Sequence, residues 1–248
     1  MRTSGFAALD RQLPGGGWPC GALTELLLPH PGVGELRLLA PALVALQAAG
    51  GQLMWFDPPA TPCAWTLEAL GLDLRRLVLV QGKGRHSPLT RARLPAADTL
   101  WALEQALKSG HVDAVLAWLP ARLPLDVLRR LQLAAQAHAG PAWLLRGWPQ
   151  GEAGRPIQPP ARHPGAHAGT SPAPLRLDLA SAGPDRLRIH ILKRRGPPAL
   201  QPLTLDLAPV LAPSVAARAA QGPASLPARS RGLVTAGAAA AGAGADKA

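Results

Sequence analysis

A chain of 248 residues, 48% hydrophobic, with 28 Pro, 26 Gly and a formal charge of +11, can bury one sizeable α/β core and little more. Cys20 and Cys63 match neither a metal spacing nor a disulfide framework, which excludes a disulfide-stapled secreted domain and points to a reducing cytoplasm. No apolar leader opens the chain, and the most apolar window, Leu36 to Phe56, is broken by Arg37, Pro41, Gln47 and Gly50-Gly51; it predicts a helix followed by a strand rather than a membrane span.

In chain order, Leu23 to Leu28 is the first strand-like run. The segment that follows, Pro29-His30-Pro31-Gly32-Val33-Gly34-Glu35-Leu36, sits where a phosphate-binding loop belongs and is chemically unsuited to it. A loop of the G-x-x-x-x-G-K-[ST] type needs successive backbone N–H donors, a lysine on the outer phosphates and a hydroxyl for magnesium. Here Pro29 stands at the first glycine, Pro29 and Pro31 each remove a donor, Glu35 takes the lysine position and Leu36 the hydroxyl position. One charge at about 4 Å and an effective dielectric of about 20 is worth about 4 kcal/mol. Micromolar affinity amounts to only about 8 kcal/mol, so reversing that charge removes most of an ordinary nucleotide affinity.

Further strands are predicted at Leu53 to Phe56, Leu77 to Val80, Val112 to Leu119 and Ala142 to Leu145. Helices are predicted at Asp98 to Ser109, with Asp98 as cap and Gly110 as stop, and at Leu125 to Ala139, ended by Gly140. The second should turn Leu128, Leu131 and Ala135 inward and Arg129 and Arg130 outward. Leu175 to Leu179 and Arg186 to Arg195 form a late strand pair. Alternating strands and helices predict an α/β fold with a mostly parallel central sheet and flanking helices. The expected organisation is a core over 1–148, a Pro/Gly/His-rich loop over 149–174, the strand pair completing the core over 175–208, and an Ala/Gly/Pro-rich tail over 209–248, too poor in packing residues to order itself.

The run Ser4-Gly5-Phe6-Ala7-Ala8-Leu9-Asp10, and the turn Gly15-Gly16-Gly17-Trp18-Pro19-Cys20-Gly21 before the first strand, resemble the approach to the phosphate loop in RecA-family ATPases. Leu53 to Pro59 resembles the strand whose Asp-Ala-Glu turn supplies a catalytic glutamate, a position that falls on Pro59. Leu103 to Trp118 resembles the helix and strand that carry the magnesium aspartate, a position that falls on Trp118. Four losses in one collinear frame imply a RecA-like P-loop core without turnover, a pseudo-ATPase with no cofactor and no metal site.

The phrases GGGWPCGALTELLLP, PGVGELRLLAPAL and ILKRRG, over about residues 3 to 196, resemble the ImuA family of accessory proteins in bacterial translesion synthesis. That resemblance implies an adaptor in damage-induced (SOS) mutagenesis whose partners are RecA, the inactive Y-family polymerase relative ImuB and an error-prone replicative-type polymerase subunit. It also implies a cytoplasmic protein that joins the nucleoid on DNA damage. Lys193, Arg194 and Arg195 follow the last strand, where filament neighbours are contacted in RecA, and are the candidate RecA contacts. RecA carries a longer N-terminal helix and strand that docks onto the next subunit; with 28 residues before this loop, independent filament formation is not expected. The alternative reading is a division inhibitor of the SulA type, which shares a degenerate RecA-like core and binds the tubulin-like division protein.

Lys83, Arg85, Arg91 and Arg93, in a polar basic loop, are candidate DNA contacts through their attraction to phosphate, with no interleaved aromatics for base stacking. The spacing of His163 and His167 suits a metal but lacks further ligands. Trp55, Trp101, Trp118 and Trp143 fall on predicted strands or helices and are expected in the core, as are Trp18 and Trp148 by packing from turns. No nucleophile elbow is present, which argues against a hydrolase.

Overall fold

Strand runs flanked by helices require a sheet covered on both faces, and the computed structural model, which describes residues 1–81, 96–147, 171–199 and 201–209, has that architecture. The elements, in chain order, are α1 (Ala7–Asp10), β1 (Leu23–Leu28), α2 (Glu35–Ala48), β2 (Leu53–Phe56), α3 (Ala64–Ala69), a 3-10 turn (Leu74–Arg76), β3 (Leu77–Val80), α4 (Ala96–Ser109), β4 (Ala114–Leu119), α5 (Leu125–Gln136), β5 (Ala142–Gly147), β6 (Leu175–Ser181), β7 (Arg186–Lys193) and β8 (Leu203–Asp206).

The eight strands form one mixed sheet in the order β3-β2-β4-β5-β1-β6-β7-β8. Pairing from β3 through β6 is parallel, while β7 runs antiparallel to both β6 and β8. β1 and β4 are buried at every position, which is why they read as unbroken apolar runs. One face packs Leu38, Leu39, Leu43 and Leu46 of α2 against Leu26, Trp143, Leu177 and Ile189. The other packs Leu103 and Leu107 of α4 and Leu128 and Leu131 of α5 against Phe56, Val115 and Leu144. At about 1.5–3 kcal/mol for each large side chain removed from water, these two layers are what hold the helices to the sheet.

Several expectations are corrected. The late strand pair is extended by a short β8, unforeseen in the sequence, which pairs along the outer side of β7. Trp101 is 64% exposed, since α4 buries Leu103, Ala106 and Leu107 and Trp101 falls off that stripe. Asp98 lies inside the first turn of α4, which begins at Ala96. The predicted start of β4 at Val112 moves to Ala114. α5 stops at Gln136, short of Gly140. A Cβ at Gly140 would sit 1.7 Å from the Asp113 carbonyl oxygen, so the close approach of the two connections, rather than the end of a helix, needs glycine there. Trp18, Trp55, Trp118 and Trp143 pack as expected; Trp18 meets Trp143 edge-on at 5.7 Å and Trp55 meets Trp118 at 5.6 Å. Trp148, His163, His167, Lys83, Arg85, Arg91 and Arg93, the loop over 149–170 and the tail from 210 lie outside the described residues. No described helix is long and apolar enough to cross a membrane.

Candidate functional site

β1 ends at Leu28 and α2 begins at Glu35, so residues 29–34 form the strand-to-helix connection that the sequence singles out. Gly34 has φ of 120°, and a Cβ there would lie 3.0 Å from Leu207 Cδ1, two reasons for glycine at this corner. Glu35 then turns back on the connection. Its Oε1 accepts the Gly32 N–H at 2.8 Å and its Oε2 accepts the Gly34 N–H at 3.1 Å, with the residue only 3% exposed. The carboxylate also lies at the positive end of the α2 macrodipole. The Gly32 and Gly34 N–H donors of the connection therefore hold the chain's own anion. Arg37, two residues on, donates to Asp185 Oδ1 at 2.6 Å and to the Leu207 carbonyl at 3.1 Å, tying the start of α2 to the ends of β7 and β8. Leu36 packs half-buried against the core.

Beside this connection a cleft of about 620 Å³ opens at the C-terminal ends of β1, β4 and β5. In parallel sheets such ends are where ligands bind. Pro29, Pro31, Pro59, Pro120 and Trp118 line it, with Arg122 and Arg146 as its charged groups. Thus Pro29, Pro59 and Trp118, assigned separately from sequence, converge on one cleft. None of the three carries an oxygen that could ligate magnesium, the two prolines have no donor, and the one N–H among them, the Trp118 indole nitrogen, is buried. Arg146 is committed elsewhere: Nε donates to the Pro120 carbonyl at 3.2 Å, Nη2 to the Ala121 carbonyl at 2.6 Å and Nη1 to Glu25.

Glu25 is the site residue that sequence reasoning missed. On β1, fully buried, it accepts from Arg146 of β5 through Oε1 and from Arg176 of β6 through Oε2. Both arginines are buried too, so three strands share one ionic cluster at the centre of the sheet. The signal was a lone acid in LTELLL and a lone base in AWLLRG, each in an otherwise apolar strand.

The three basic residues at the end of β7 behave differently from one another. Lys193 lies opposite Arg176, donates to the Ser171 carbonyl at 2.8 Å, and has its ammonium pKa lowered by burial and by Arg176. Arg194 donates to the Pro197 carbonyl at 2.6 Å and to Gln12. Arg195 is exposed. No group of three His, Cys, Asp or Glu suited to a metal occurs among the described residues.

No protein-family model matches the chain. The cell division inhibitor SulA of Edwardsiella piscicida is 31% identical over 126 residues, 51% of this chain and 67% of that protein. The chain belongs to the SulA-like family. SulA of Serratia marcescens is 27% identical over 123 residues, 50% of this chain and 65% of that relative. The chain therefore spans about two thirds of the length of these SulA relatives, and about half of its own length lies outside the match. The crystal structure of SulA from Pseudomonas aeruginosa is 27% identical, with a TM-score of 0.40, over 52% of this chain and 99% of that one.

Proposed function

We propose that this SulA-like chain is a protein-binding, non-catalytic member of the DNA-damage response built on a RecA-like core. The observation that carries the absence of turnover is the Glu35 carboxylate seated on the Gly32 and Gly34 N–H groups. A phosphate would have to displace an anion already buried there, and Glu35 and Leu36 stand where a lysine and a hydroxyl would receive it. The strand-loop-helix unit, the parallel sheet around β1 and the late antiparallel strands support the RecA-like reading of the core.

The relatives named as division inhibitors favour the first specific reading, in which the chain binds the tubulin-like division protein and blocks septation. A second reading is favoured by the half of the chain outside the match and by the ILKRRG phrase at the end of β7. In it the chain links RecA to ImuB and the error-prone polymerase subunit, with Lys193 and Arg195 toward RecA and the basic loop at Lys83 to Arg93 toward DNA.

One experiment separates them. The purified full chain is offered the division protein, ImuB, and RecA filaments on single-stranded DNA in parallel pulldowns, while overexpression is scored for cell filamentation and for damage-induced mutation. Retention of the division protein with filamentous cells supports septation control. Retention of ImuB or RecA with changed mutation frequency supports the adaptor, and retention of none of them overturns both.

A further inference from the structure

The two edges of the sheet are finished differently. At the β8 edge α1 lies alongside, Leu205 is buried, Asp206 pairs with Arg186 at 2.9 Å, and Arg37 holds the following backbone at Leu207 and Ala208. At the β3 edge none of these devices is present among the described residues. The run Leu77-Val78-Leu79-Val80 has no proline, no lysine and an unbroken register with β2. Natural sheets normally blunt such an edge, because its unpaired main chain is a template for another strand.

Backbone geometry identifies the open groups. The Val80 carbonyl accepts the Asp57 N–H at 2.9 Å, so Val78 and Val80 face β2. Alternate residues of a strand turn their main-chain groups to opposite sides, which directs those of Leu77 and Leu79 outward. The Leu77 N–H is taken by the Leu74 carbonyl, leaving the Leu77 carbonyl and both groups of Leu79 along the edge with no strand beside them among the described residues. Side chains reinforce the template. Val78 is 42% and Leu79 40% exposed, on opposite faces of the strand. Leu79 lies on the face covered by α3, which carries Trp65, 84% exposed; Val78 lies on the face covered by α4, which carries the exposed Trp101. Each face of the edge thus offers an apolar strand residue and a tryptophan on its helix layer.

Charge chooses the occupant. Arg75 and Arg76 immediately precede β3, with side chains 90% and 44% exposed against the single Asp73 that pairs with both. Lys83 and Arg85 follow the strand in sequence, and the whole chain carries +11, which disfavours a second copy. We propose that β3 receives an extended segment of a partner protein as a ninth strand: a short run of consecutive apolar residues, several of them β-branched, bounded by Asp or Glu at its ends. Main-chain hydrogen bonds to Leu77 and Leu79 supply the pairing, and apolar side chains on both faces meet Leu79 and Val78. This surface is separate from the Glu35 loop, and the proposal holds under either reading of the partner.

The test uses the full chain and a fluorescent peptide, Asp-Glu-Val-Ile-Val-Thr-Glu-Asp, blocked at both termini, followed by anisotropy. Leu79→Pro removes an outward N–H and no ladder bond, so the fold survives, as a thermal melt should show; Leu79→Lys is the second variant. Expected are saturable binding, a loss of at least about tenfold in both variants, and a similar loss when alternate peptide residues of one set, but not the other, are N-methylated. Equal sensitivity to both N-methylated sets, binding unchanged by either substitution, or no binding overturns the proposal. Self-association of the chain that Leu79→Pro abolishes would make a second copy the occupant and overturn it as well.

Discussion

The molecule buries two glutamates by opposite means. Glu35 is held by backbone N–H groups of its own loop, within three residues; Glu25 is held by two guanidinium groups from strands 121 and 151 residues away. The first contact is local, and its consequence is chemical: two N–H donors of the loop are taken by the chain's own carboxylate. The second is global, and its consequence is mechanical: β5, β1 and β6 are fastened at the centre of the sheet.

The largest expected effect therefore lies at Glu25. Glu25→Gln removes the carboxylate charge that the buried Arg146 and Arg176 share and should cost about 3–5 kcal/mol, read as a fall in the urea midpoint. Replacing all three members together by apolar residues of similar volume should restore much of that loss. Glu35→Ala should cost less, about 1–3 kcal/mol for two charge-assisted hydrogen bonds, and amide exchange at Gly32 and Gly34 should accelerate while the rest of α2 stays protected. An Ala variant at Glu35 as damaging as Glu25→Gln would erase the contrast between local and global roles.

His138 provides a smaller, pH-dependent test. Burial lowers its pKa below the ordinary 6.5, only partly opposed by the Pro141 carbonyl and Asp113. The folded state resists protonation that the unfolded chain accepts. The stability from neutral His138 is thus complete above pH 6.5 and is lost as the pH falls toward and through the depressed folded value. His138→Gln should flatten that slope in melts recorded between neutral and mildly acid pH. The smallest effect belongs to Trp101→Ser, within about 0.5 kcal/mol, because this tryptophan is largely in solvent.

Legibility followed locality. β1, β2, β3 and the loop at Pro29 to Leu36 could be read because buried parallel strands and loop chemistry are written in consecutive residues. β8 could not, since four residues, LTLD, carry little periodicity until β7 is there to pair with them. The Glu25 cluster was missed for the same reason: the lone charges stand in their strands, but only the register of β1 against β5 and β6 brings them together. Trp101 was misplaced because residue type was weighed above its angular position on α4. The convergence of Pro29, Pro59 and Trp118 on one cleft depends on strand order, which no run of consecutive residues spells out.

The position of β1 between β5 and β6 sets the order in which the chain can assemble. Its first strand is synthesised early, yet both neighbours and both counter-charges of Glu25 arrive after residue 141. High sequence separation between pairing strands slows folding. The emerging chain must carry an exposed LTELLL segment until β6 leaves the ribosome, and the charge within it keeps that waiting segment from being purely apolar.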